Sequence, residues 1–244
     1  MQTHLRTLSL GLALSLGQLS AQNGVFKENF ATDGMTLKTI GRGDCHVKNG
    51  VFSSRESYAL FGNPEWKNYS VTFKARAPKG SEQVQIWAGF RAHNRNDRYI
   101  VGLKGGLQDD IVLARQGYMG TDEFFAVKPL GFHPIPGEWY KFKIDVVGDR
   151  IRVYINDENT PRIDVTDKNS NLAPSGQVSL GGGWLTTEFD DLEIKELPEN
   201  YFQGIKRQEY KYAMSPAEKE AKRQRERSQY KAIEVGTLNP GRTE

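Results

Sequence analysis

The stretch from Glu138 to Asn156, EWYKFKIDVVGDRIRVYIN, limits the folds open to this chain more than any other. Tyr140, Phe142, Ile144 and Val146 alternate with Lys141, Lys143 and Asp145. Beyond Gly148-Asp149, Ile151, Val153 and Ile155 alternate with Arg152 and Tyr154. A period of two marks a strand, and a Gly-Asp pair between two such runs marks a hairpin turn. Successive strand side chains point to opposite faces, so this hairpin has one apolar face, which a second sheet must cover. The pattern predicts a sandwich and leaves its outer faces and loops for function.

The rest of the chain up to Ile194 agrees. Runs such as YSVTFKARA (69–77), QVQIWAGFRAH (83–93), RYIVGLK (98–104), DIVLARQ (110–116) and FDDLEIKEL (189–197) are short and separated by Gly, Pro, Asn and Asp. No helical period is sustained there, so residues 22–198 are expected to be all-β. After Leu197 the composition turns polar, and residues 199–244 are expected to be a charged linker and helix able to lead into a further module. Glu199 to Gly204, ENYFQG, resembles an engineered protease site without its Leu and is read as native. Ser215-Pro216-Ala217-Glu218 supplies an N-cap, a first-turn Pro and a capping-box Glu for a helix from about Pro216 to about Ile233. Arg225 follows Ala217 and Ala221 on one face, so this helix lacks an apolar stripe and is expected to be solvated.

Arg6, the apolar run Leu8 to Leu19 and the small pair Ser20-Ala21 follow the order of a secretory signal, residues 1–21, which predicts a periplasmic or secreted protein. The run is too short to insert across a bilayer. Cys45 is the single cysteine, so no internal disulfide framework exists, and it is expected to act as a small buried hydrophobe. A net charge of +3, mixed in sign, gives no basis for nucleic-acid binding. Four His without a close-spaced ligand pair give none for zinc, and neither a phosphate loop nor a Gly-x-Ser-x-Gly elbow occurs.

Three stretches, AGFRAHNRNDRYIVGL (88–103), GEWYKFKIDVVGDRIRVYIND (137–157) and EFDDLEI (188–194), resemble the concanavalin A-like lectin/glucanase superfamily in its laminin-G-like, bacterial sugar-hydrolase-associated branch. The resemblance implies a jelly roll of two antiparallel sheets that binds glycans on a concave face or in its loops. It implies an exported carbohydrate-binding domain acting on oligo- or polysaccharide beside glycan-degrading machinery, with a catalytic module downstream as one arrangement. A glycoside hydrolase of the same fold and a structural or adhesion spacer are the alternatives.

A saccharide needs an aromatic surface under its C–H face and planar polar groups for its hydroxyls. Strand alternation puts Trp87, Arg91 and His93 on one non-core face and Ile86, Ala88 and Phe90 in the core. Arg98, Arg115, Tyr118 and Trp184 are expected to join that face, Trp184 after three glycines that let a ligand come close. Trp66 and Trp139 read as core-edge residues.

Glu188-Phe189-Asp190-Asp191-Leu192-Glu193 resembles the Glu-x-Asp-x-x-Glu signature of family 16 glycoside hydrolases, which makes Glu188, Asp190 and Glu193 the alternative catalytic set. Retaining hydrolysis needs two carboxyl groups roughly 5 Å apart. On a regular strand Glu188 and Glu193 face opposite ways, and only a β-bulge would realign them. Asp190 is read as sharing a face with Leu192 and Ile194. First and last strands lie side by side in this fold, so Glu28 is expected near Asp190, either as a structural Ca²⁺ site or as a hydrogen-bonded pair.

Overall fold

A computed structural model describes residues 24–94, 96–104, 109–116, 122–169 and 173–237. The segment expected to be a signal and Tyr118 lie outside them. The described strands are β1 (Val25–Glu28), β2 (Thr39–Lys48), β3 (Val51–Phe61), β4 (Tyr69–Arg76), β5 (Gln85–Asn94), β6 (Asp97–Lys104) and β7 (Asp110–Gln116). They continue with β8 (Asp122–Pro129), β9 (Tyr140–Val147), β10 (Arg150–Ile155), β11 (Ile163–Thr166), β12 (Gln177–Gly181) and β13 (Thr187–Glu196), and helix α1 (Pro216–Thr237) follows.

All strand pairs are antiparallel, and the hydrogen-bonded order is β11-β10-β9-β4-β13-β3-β12-β5-β6-β7-β8, with β1 on β13 and β2 on β3. One layer holds the hairpin β9-β10 with β11, β4, β13 and β1; the other holds β12 and β5 to β8. β3 passes between them, since Phe52 pairs with Phe189 of β13 while Tyr58 to Phe61 pair with β12. The change of layer comes at Glu56, whose φ is 55° and whose N–H donates to the Gly183 carbonyl at 2.7 Å. Edge strand β11 comes beside edge strand β8, which nearly closes the sandwich. This is the two-sheet antiparallel jelly roll expected from the sequence.

The hairpin is as its alternation predicts: Tyr140, Phe142, Ile144, Val146, Ile151, Val153 and Ile155 are all buried. Their partners include a train of rings through the core, with Phe73 stacked on Phe142 at 5.0 Å and touching Phe189, which touches Phe52. Each such side chain taken from water contributes roughly 1.5–3 kcal/mol. Cys45 packs half-buried against the same core, and burial raises its thiol pKa.

Residues 199–214 are pinned to the outer surface of the hairpin layer. Phe202 lies over the guanidinium groups of Arg150 and Arg152, and Tyr210 over that of Arg162. Arg150 and Arg152 donate to the Lys206 carbonyl, and the Gln208 N–H donates to Asp164 at 2.9 Å. The capping box of α1 forms as read, with the Ser215 N–H donating to Glu218 and the Glu218 N–H to Ser215. The helix is more than a solvated spacer, because Arg225 donates to the buried Asp109 at 2.8 Å, beside His133.

Candidate functional site

The register fixes which side chains share the outer face of the second layer. Trp87 pairs with Gly102 and Gly102 with Val112; two positions on either side, Gly89 pairs with Ile100, and Gln85 with Lys104. Trp87 is partly buried, and its benzo ring rests on Gly102, where an added Cβ would come within 2.4 Å of it. The pyrrole edge lies against Gly183, whose added Cβ would be 2.7 Å from Cδ1. The two glycines clasp the indole from either side.

Gly181 and Gly182 both have φ near 100°, a backbone that L side chains rarely adopt. They carry the loop across the face, and Gln85 holds it there by accepting the N–H groups of Trp184 at 2.8 Å and Leu185 at 3.2 Å. The glycines were expected to admit a ligand; they serve instead to bring this loop down onto Trp87 and Arg98. Trp184 is thereby presented beside Trp87 with 75% of its surface exposed.

Four residues not anticipated from the sequence complete the face. Phe124 of β8 and Val127 are each about half exposed, and the Lys104 ammonium stands 5.6 Å from the Trp87 ring centre and 5.8 Å from that of Phe124. Tyr58 lies under the Arg98 guanidinium at 4.0 Å. Arg98 reaches the face as expected, yet it is nearly buried, donating to Ser179 and Gln116 beneath Gly182. Its place is to support the surface rather than to lie open on it. Period-two parity applied to RYIVGLK, with Gly102 opposite Trp87, is the signal that would have found Lys104.

Arg91, His93 and Arg115 do not share this face, and each departure has a physical cause. β5 carries a bulge after Phe90, with Arg91 at φ 48°, so the alternation inverts. Arg91 turns inward, 2% exposed, and donates to the carbonyls of Lys67, Gly148 and Ala173 while its N–H donates to the Tyr69 hydroxyl. Ala92 then packs with Tyr58 and Leu60, and His93, exposed, takes the side away from them. Arg115 pairs across β6 with the buried Tyr99 and so faces the interior, where it binds Asp167 at 2.6 Å and Glu123. Burial alone would depress its guanidinium pKa, but those two carboxylates hold it above the ordinary value.

The carboxylates of β13 lie on the other layer. A bulge at Asp190-Asp191, with Asp191 at φ 50°, shifts the register between Asp190 and Glu193. Phe189, Leu192 and Ile194 therefore share the core, and Glu188, Asp190 and Glu193 face outward together, which corrects the alternation read from a regular strand. The realigned pair is engaged in structural ion pairs, Glu188 with Arg76 at 2.6 Å and Glu193 with Lys27 at 3.0 Å. β1 does pair with β13, but Glu28 lies opposite the core residue Leu192 and accepts the Phe30 N–H, whereas Asp190 lies opposite outward Lys74. The two carboxylates point to opposite faces and form no joint calcium site. Among the described residues no group of three His, Cys, Asp or Glu side chains is placed to hold a metal ion.

A cavity of about 670 Å³ lies elsewhere, at the sandwich edge between Arg91, Gly148, Pro174 and Phe202. Its deepest guanidinium, that of Arg91, is occupied by backbone carbonyls, so the exposed aromatic surface around Trp87 is the better candidate for a ligand.

A family model described as 3-keto-alpha-glucoside-1,2-lyase-like domain matches residues 23–195. No curated protein matches the chain. Among solved structures, the carbohydrate binding module CBM66 from Bacillus subtilis is 16% identical with a TM-score of 0.50, over 72% of this chain and 98% of that one. The VIP36 exoplasmic/lumenal domain in its Ca²⁺/Man-bound form is 12% identical with a TM-score of 0.50, over 72% and 91%. The GH43 protein BlXynB from Bacillus licheniformis is 12% identical with a TM-score of 0.51, over 70% of this chain but 39% of that enzyme. At these identities the likenesses show the fold.

Proposed function

The chain belongs to the 3-keto-alpha-glucoside-1,2-lyase-like domain family, within the concanavalin A-like lectin/glucanase superfamily, and on that footing we propose that it is an exported saccharide-binding domain working beside glycan-degrading machinery. The observation that carries this reading is the row formed by Trp184 and Phe124, both exposed, and the partly buried Trp87 on the outer face of one layer, with Lys104 beside the Trp87 and Phe124 rings. An apolar patch of this kind on a monomer's surface marks an interaction site, and flat rings with interleaved polar groups match the two sides of a sugar ring. The carbohydrate binding module and lectin with this fold make a saccharide the natural occupant. Calorimetry over a glycan panel tests the reading. Trp87→Ala and Trp184→Ala are each expected to weaken binding roughly tenfold, about 1.4 kcal/mol. Unchanged binding in both variants would overturn it.

The family's description favours a second reading, in which a bound 3-keto-alpha-glucoside is also cleaved between C1 and its glycosidic oxygen. A base takes the C2 proton, made acidic by the neighbouring ketone, and the freed pair is held as the C2–C3 enolate. As the ketone re-forms, that pair makes the C1=C2 bond while the C1–O bond breaks, and the departing oxygen takes a proton. Asp110, in register with Lys104 at the rim of the face and with its pKa raised by burial, is the carboxylate at hand for the first step. Product release from a 3-keto-alpha-glucoside by the purified protein, lost in Asp110→Asn, would establish this. Release lost instead in Glu188→Gln would return the chemistry to β13.

A further inference from the structure

Trp184 is the most exposed large apolar side chain among the described residues, with 75% of its surface open, yet the backbone that carries it is tied on both sides. The Gly183 carbonyl accepts the Glu56 N–H at 2.7 Å, the N–H groups of Trp184 and Leu185 donate to Gln85 Oε1 at 2.8 and 3.2 Å, and the Thr187 hydroxyl donates to the Gln85 main-chain carbonyl at 2.8 Å. Three of these bonds end on one residue, Gln85. Both groups facing its side-chain oxygen are N–H donors, which fixes the orientation of the amide. Gly183 fits under this clamp only because it lacks a side chain: an added Cβ would come 2.9 Å from Gln85 Oε1 and 2.7 Å from Trp87 Cδ1.

The packing of Trp184 does not account for this anchoring. An indole so exposed buries too little to order its own backbone, whereas an aromatic platform for a saccharide works best when its ring is already in place. A chain with glycines at 181, 182 and 183 has wide backbone freedom, and if it were untied a ligand would have to order it on binding. Gln85 is well placed to remove that cost. It lies two residues before Trp87 on β5, ahead of the bulge and therefore on the same outward face, opposite Lys104. One side chain thus fixes the backbone of one indole beside the strand that carries the other.

Resting on the proposed saccharide-binding role, we infer that Gln85 is a positioning residue of this face: its side-chain oxygen holds the 183–185 backbone so that Trp184 stands ready beside Trp87, and it sets affinity through Trp184 without touching the sugar. The loop is then a fixed wall of the site rather than a lid that closes over it.

Amide hydrogen exchange and calorimetry on the full chain test the inference, with maltohexaose, cellohexaose, laminarihexaose and xylohexaose as probes. Gln85→Met keeps the length of the side chain and removes the oxygen, since a thioether is only a weak acceptor. In this variant the Trp184 and Leu185 amides are expected to exchange roughly tenfold faster, while those of Phe142 and Ile144 in the central strand β9 exchange as in wild type, which separates a released loop from a damaged fold. Affinity for the tightest-binding hexasaccharide is expected to fall roughly five- to tenfold, as in Trp184→Ala. Gln85→Met added to Trp184→Ala is expected to weaken binding by less than about twofold more, because the two changes remove one and the same contact. Wild-type affinity in Gln85→Met, unaltered exchange of the two loop amides, or losses that multiply in the double variant would overturn the inference and leave saccharide binding standing. Failure of the wild-type protein to bind any of the four probes would overturn both.

Discussion

At Gly102 a single hydrogen decides where an indole sits. The benzo ring of Trp87 occupies the space a methyl group would take, so Gly102→Ala has to push the ring off its seat, and its backbone angle does not itself require glycine. The expected outcome is a loss of saccharide affinity of about fivefold or more with a melting temperature close to wild type, read by calorimetry and circular dichroism on the same sample. Arg91 is the opposite case. Its guanidinium is sealed among three backbone carbonyls, so Arg91→Ala leaves those oxygens buried without donors and is expected to cost about 3 kcal/mol in urea unfolding. The residue was legible as polar and placed among apolar neighbours, but FRAHN gives no sign of a left-handed φ, and one such residue reverses every later side chain in the strand. Trp87 precedes the bulge and could be placed correctly; Arg91 and His93 follow it and could not.

At the scale of elements, the same device works on β13. The sequence shows that Glu188 and Glu193 need a bulge to face one way, and the bulge exists at Asp190-Asp191, yet their cations Arg76 and Lys27 come from β4 and the segment of β1, distant in sequence. Pairing partners of that kind are set by topology and cannot be counted off along one strand. The segment 199–214 is similar: its polar composition reads as linker, while its aromatic residues meet an arginine row on β10 and in the approach to β11. Deleting everything after Pro198 exposes that row, and is expected to lower the melting temperature by roughly 5–10 °C without loss of the sandwich. Asp164 gives the docking a pH dependence. Burial would raise its pKa, but hydrogen bonds from Arg150, the Gln208 N–H and Arg152 outweigh burial and hold it below the ordinary 3.8. A depressed folded-state value means that its contribution is complete above about pH 4 and is lost as pH falls through the folded pKa. Asp164→Asn is therefore expected to lower stability at pH 7 and to flatten the loss of stability between pH 4 and 2, both followed by thermal melts across that range.

For the molecule as a whole, the layered architecture was the most legible property, because the hairpin Tyr140 to Ile155 demands a facing sheet and the aromatic core residues recur at strand spacing. The distribution of function between the layers was less so. One outer surface is covered by residues 199–214, and the other is left open with its aromatic row, a division that emerges only when the chain's last part folds back on the first sheet. Export belongs to this scale too: mature protein recovered from the medium or periplasm is expected to begin at Gln22, which N-terminal sequencing would read, and a product that keeps Met1 inside the cell would refute it. The most direct measurement of the central claim is a crystal structure of the protein soaked with the oligosaccharide that calorimetry ranks first. Sugar rings are expected on Trp87, with Trp184 or Phe124 alongside and the Lys104 ammonium at a substituent. Sugar found instead in the edge cavity between Gly148 and Phe202, or against Glu188 and Glu193 on the other layer, with the Trp87 face bare, would contradict it.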